Sequence, residues 1–259
     1  MIQQFTLWGI HVDPSTLLMI MAACFGAAVL SGMSGFGGGL IITLFITPII
    51  GAKAVVPVLA VAMGITNLSR VWFFRTALNP RIVALLAGPG AVAAVLGSML
   101  YVRLDPSVVQ ALLGIVLIGS MIPRHYLAKH RISPNRTVLV GIGGLYGFLS
   151  SVVVGAGIIL VPTMLGAGLA GAALLATDAA IAVLINIVKI FMFGTLDALT
   201  LKLFAIALVM GACTVPGTWL ASCIVKRTNV RIHTMAMEVL IICGGGFLLI
   251  DSLLNRMNG

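Results

Sequence analysis

The feature that most constrains this chain is a series of apolar stretches, most of them as long as a helix must be to cross a bilayer. They cover residues 17–33, 38–50, 54–74, 82–102, 107–123, 137–154, 157–167, 169–193, 200–224 and 234–254. A helix rises roughly 1.5 Å per residue, so about 30 Å of hydrocarbon takes about 20 residues. Eight of the ten stretches are long enough to span, and two, 38–50 and 157–167, are not. Barrel strands, which alternate and run to about ten residues, do not fit this pattern. The expected fold class is an all-α polytopic membrane protein.

Composition agrees: 61% of the 259 residues are hydrophobic and 8% charged, whereas soluble domains carry about 25% charge. A net charge of +9 would suggest nucleic acid in a soluble protein. Here the cations fall mostly between apolar stretches, where they orient the chain and meet anionic lipid, so no nucleic-acid partner is expected. The first sixteen residues hold no Lys or Arg, so the first apolar stretch reads as retained rather than as a cleaved signal. Cys24, Cys213, Cys223 and Cys243 lie in apolar stretches without CxxC spacing, which points to packing and to neither a metal nor a cofactor.

The polar loop from Pro123 to Arg136 sits almost at the centre of the chain. It divides a first membrane repeat, 1–123, from a second, 137–259, with 124–136 as a cytoplasmic linker. The halves match: Gly37-Gly38-Gly39-Leu40-Ile41-Ile42 faces Gly155-Ala156-Gly157-Ile158-Ile159-Leu160 at an offset of 118, and Asn67 faces Asn186 at 119. The two short stretches follow glycine clusters and read as half-helices entered through a break. If each counts as a pass, every half has an odd number of passes and the halves are inverted repeats. Arg70, Arg75, Arg81, the central loop, Lys226, Arg227 and Arg231 then share the cytoplasmic side, opposite Lys53, Arg103, Lys202 and Arg256.

Candidate binding residues follow from the repeats. Ser34, Gly35, Gly37, Gly38 and Gly39, with Gly155 and Gly157, sit at the breaks, where glycine permits a sharp turn with exposed amides. The free N–H groups and positive dipole end of the following half-helix stabilise an anion. Close helix packing is the alternative use of such glycines. Asn67 is followed three residues on by Arg70, and Asn186 by Lys189, so amide and cation share a helix face. Ionisable groups inside spans usually face a cavity or a partner, and an amide plus a cation suits an oxyanion. Snorkelling of Arg70 and Lys189 to headgroups is the bland alternative. Asp178, near the middle of its stretch, could take a coupling proton, or be held ionised by a cation.

With Ser31-Gly32-Met33-Ser34-Gly35-Phe36-Gly37-Gly38-Gly39 as its most recognisable feature, the chain resembles the TauE/SafE family of sulfite and organosulfonate exporters. The resemblance implies a bacterial inner-membrane permease for a small anion, driven by the membrane potential or by protons. The second break has fewer glycines, and Leu44 stands where the second half has Pro162. An anion channel could use the same groups. An intramembrane enzyme is disfavoured because no HExxH, Ser/Lys pair or nucleotide loop is present. A purely structural role would leave Asn67, Arg70, Asn186 and Lys189 replaceable.

Overall fold

The computed structural model describes residues 5–7, 10–12, 14–34, 37–119 and 134–225. Gly35, the central loop 120–133, the final apolar stretch with Glu238 and Cys243, and Lys226, Arg227, Arg231 and Arg256 lie outside the described residues. The first half contains α1 Pro14–Ser34, α2 Gly38–Ile50, α3 Ala52–Phe74, α4 Pro80–Arg103 and α5 Pro106–Gly119. The second contains α6 Arg136–Val152, α7 Leu160–Gly166, α8 Gly171–Thr195 and α9 Leu201–Val225. Single 3-10 turns, Arg75–Ala77 and Ala156–Ile159, follow α3 and precede α7. A short antiparallel ribbon, β1 Phe5–Leu7 with β2 Ile10–Val12, precedes α1 and is the one addition to the all-helical expectation among the described residues.

These bounds fall within a few residues of the apolar stretches. Helices α3, α4, α8 and α9, of 23 to 25 residues, are long and apolar enough to cross a bilayer, reaching roughly 35 Å. Helix α2, at 13 residues, reaches only about 20 Å. Capping sets two of the starts. The Ile82 amide donates to Asn79 Oδ1 at 3.2 Å, and the Val138 amide donates to Asn135 Oδ1 at 2.9 Å, so the polar residue before each apolar stretch closes α4 and α6.

Helix directions follow from residues in contact. Going up α3, Gly64 lies against Asn186 and Ile190, and Arg70 reaches back to Asp178, so α3 and α8 are antiparallel. Going up α4, the Asn79 amide meets Thr177, Gly90 meets Ile185 and Tyr101 meets Phe193, so α4 and α8 are parallel. Gly143 against Leu86 and Gly97 against Phe148 and Ser151 make α4 and α6 parallel. Gly217 beside Phe25 and Gly32 beside Ala221 do the same for α9 and α1. Glycine lets the backbones of α4 and α6 approach at Gly90, Gly143 and Gly147, as small residues do at helix crossings in lipid.

The packing units are not the sequence halves. One apolar core joins α1, α2 and α3 to Ala207 and Met210 of α9, and also takes in Tyr101, Val109 and Leu113 from the end of α4 and from α5. The other joins α6, α7 and α8 to Ile82, Leu86 and Ala94 of α4. Each half lends its fourth helix to the other. The ends of the bundle also sort the charges: the Tyr101 hydroxyl donates to the Lys53 carbonyl at 3.0 Å, which brings Lys53 and Arg103 to one end. Arg81 and Arg136 line a common depression at the other.

Candidate functional site

Each half turns from a long helix into a short one at a left-handed glycine. Gly37 has φ 89° and Gly155 has φ 99°, a region that costs a residue with a β-carbon about 1–2 kcal/mol. At the first break α2 starts directly, with Gly37 as N-cap and no side-chain cap. The amides of its first turn therefore have no intrahelical acceptor. At the second break the chain makes the 3-10 turn Ala156–Ile159 and becomes α-helical only at Leu160. The later start places Pro162 in the first turn of α7, where its missing N–H forfeits no intrahelical hydrogen bond, while Leu44, its counterpart, stands inside α2.

The two breaks touch. Gly39 lies against Val154, and Gly155 lies against the Leu40 side chain, where a β-carbon would come within 2.6 Å. Gly155→Ala thus combines left-handed strain with a clash against Leu40. It is expected to lower the melting temperature by more than Gly157→Ala, whose β-carbon would meet nothing within 4 Å. Equal melting curves for the two variants in detergent would contradict this reading of the break.

Between the breaks lies a cavity of about 130 Å³. Ser31, Gly37, Gly38, Gly39, Leu59, Met63, Asn67 and Arg70 line it from the first half. Tyr146, Ser150, Gly155, Gly157, Asp178, Ala182, Asn186 and Lys189 line it from the second. Of the residues singled out from the sequence, all but two reach this cavity. Ser34 ends α1 without a described side chain, and Gly35 is outside the described residues.

The two cations make equivalent contacts. Lys189 Nζ donates to the Ser150 carbonyl at 2.7 Å, and Arg70 Nη2 donates to the Ser31 carbonyl at 3.3 Å and to Ser31 Oγ at 3.4 Å. Ser31 and Ser150 are themselves 119 residues apart, so the offset that pairs Asn67 with Asn186 also pairs these acceptors. Arg70, Asn186 and Lys189 are 3%, 7% and 7% exposed, which removes the snorkelling alternative: both cations turn inward. Asn67 is half-buried.

Of the two sequence readings of Asp178, a coupling proton or a cation that holds it ionised, the contacts supply the cation. Asp178 Oδ2 lies 3.6 Å from Arg70 Nη1, so a carboxylate of the second half is paired with a cation of the first. The repeat offset does not reveal this contact, because the counterpart of Asp178 is Leu59. Tyr146, on the α6 wall of the same cavity, has Ala27 as its counterpart and was equally invisible to the offset.

The cavity lining is rich in positive charge and side-chain hydrogen-bond donors. It brings together the carboxamides of Asn67 and Asn186, the cations Arg70 and Lys189, and the carboxylate of Asp178. Charge-assisted hydrogen bonds of this kind are short and strong where water is scarce. None of the curated proteins, and none of the solved structures, matches the chain. A family model, sulfite exporter TauE/SafE, matches residues 20–248 of the 259. That span takes in both glycine breaks and every charged residue of the cavity, and the chain accordingly belongs to the TauE/SafE family of sulfite exporters, as a multi-pass membrane transporter.

Proposed function

We propose that the chain is a secondary carrier of the bacterial inner membrane, and that it binds one small anion, sulfite or an organosulfonate, in the cavity between the glycine breaks. The observation that carries this reading is the convergence of an Asn and a buried cation from each half on one cavity. Burying cations in a membrane span is expensive, and their inward aim favours an anionic ligand over a packing role. Asn67 and Asn186 supply neutral donors for oxyanion oxygens, and the first-turn amides of α2 supply further ones.

The antiparallel run of α3 and α8 supports inverted repeats, the architecture typical of alternating-access carriers. The packing recasts the motion. The bodies that rock are α1, α2, α3 and α9 against α4, α6, α7 and α8, each holding one glycine break, so the cavity opens to alternate sides as the breaks part. Asp178 is the candidate proton carrier. The charged and titratable groups that share its cavity are Arg70 on α3, Tyr146 on α6 and Lys189 on its own helix, and taking up a proton would loosen its pairing with Arg70.

The test is uptake of labelled sulfite, taurine and sulfoacetate into proteoliposomes, with and without an imposed pH gradient. Asn67→Ala and Asn186→Ala are each expected to weaken apparent affinity about tenfold or more, because a hydrogen bond to a charged group contributes about 1.5–3 kcal/mol. Saturable counterflow separates a carrier from a channel. Wild-type kinetics in both folded variants would sink the site assignment, and absence of any movement would sink the substrate class.

A further inference from the structure

The two halves of the cavity differ by one charge. Ser31 matches Ser150, Asn67 matches Asn186 and Arg70 matches Lys189, all at an offset of 119, but Leu59 stands opposite Asp178. The consequence is geometric. The cation of the first half has a carboxylate 3.6 Å away, and the cation of the second half, whose Nζ donates to a carbonyl, has Leu59 at the position where the offset of 119 would put a matching carboxylate. All of these groups are buried or half-buried, so water screens them little.

Resting on the carrier reading above, we propose that Asp178 is a valence filter: a built-in anion that fills one of two symmetric anion half-sites and leaves the Lys189 half-site for a substrate of single negative charge. With Arg70 neutralised by Asp178, the cavity holds one excess positive charge. A monoanion completes the balance. A dianion brings an uncompensated charge into a low-dielectric space beside Asp178, and like charges brought together without water repel strongly. The substrate class that fits is therefore a monovalent sulfonate or hydrogen sulfite, with sulfate and disulfonates excluded by charge rather than by size.

Methanesulfonate and methanedisulfonate test this directly, because each keeps its charge across the working pH range. Ligand-induced shifts in melting temperature of the purified full chain, and inhibition of sulfite uptake in proteoliposomes, read their binding. Wild type is expected to bind the monosulfonate about tenfold or more tightly than the disulfonate. Asp178→Asn keeps the side-chain shape and is expected to erase or reverse that ratio. Leu59→Asp leaves the Arg70–Asp178 pair intact, adds a carboxylate at the symmetric place, and is expected to weaken monosulfonate binding about tenfold or more. It serves even if Asp178→Asn fails to fold. Equal binding of the two sulfonates by wild type, or monosulfonate binding by Leu59→Asp that matches wild type, overturns the filter and leaves the carrier reading standing. Failure of wild type to bind either sulfonate or to move sulfite overturns the carrier reading and the filter with it.

Discussion

Replacing Lys189 by methionine is expected to reduce anion uptake to the level of protein-free vesicles while leaving the protein folded, whereas replacing Arg70 by methionine is expected to destabilise the protein itself. The two cations occupy equivalent places and make equivalent hydrogen bonds to Ser150 and Ser31, so sequence alone would treat them alike. Their electrostatic surroundings differ. Methionine in place of Lys189 removes a buried charge whose amine is held by a carbonyl, and with it the desolvation cost of that charge, at similar side-chain length. Methionine in place of Arg70 leaves Asp178 buried without its counter-ion, and breaking a buried pair from one side costs about 3–5 kcal/mol. Melting curves in detergent beside uptake in proteoliposomes separate the two effects. Uptake by Lys189→Met at the wild-type rate, or an Arg70→Met variant as stable as Lys189→Met, would show that the cavity is not organised this way.

Gly147→Val is expected to abolish the folded state, while Gly141→Val on the same helix is expected to be tolerated. A β-carbon on Gly147 would run into the Gly90 backbone, and backbone cannot rotate aside as a side chain can. The same seam includes Gly143, where a β-carbon would lie 2.8 Å from Leu86 Cα, and Gly97, where it would lie 2.5 Å from the Phe148 carbonyl oxygen. Relief requires α4 and α6 to separate, which opens the core formed by Leu86, Ala94, Tyr146 and Leu160. Overpacking typically costs about 1–3 kcal/mol, and several such contacts in one rigid seam exceed that range. Gly141 meets nothing within 4 Å, so valine there only changes the outer face. Size-exclusion profiles and melting temperatures of the two variants give the answer. A monodisperse Gly147→Val protein with an unchanged melting temperature would mean that the α4–α6 seam is not a close backbone contact.

Much of this protein was legible in its sequence because the information is local. Helix existence and extent follow from apolar length against bilayer thickness, and the helix bounds follow the apolar stretches closely. The breaks at Gly37 and Gly155 follow from the conformations that only glycine adopts freely. The offset of 118 to 119 brought Asn67, Arg70, Asn186 and Lys189 into one hypothesis, and these four residues line one cavity.

What only the tertiary structure decided is which helices exchange partners. The sequence divides the chain at its central loop, but α4 packs with the second half and α9 with the first, because the glycine faces of α4 and α6 fit each other's backbones. That exchange, together with the antiparallel crossing of α3 and α8, brings Asp178 to Arg70. A helix periodicity states which face of α8 carries Asp178, but not which of several buried cations that face will meet. The matching offset was readable from sequence because it consists of residue types at fixed spacing. That Asp178 and Leu59, which the offset of 119 pairs, line one cavity is visible only in the folded chain.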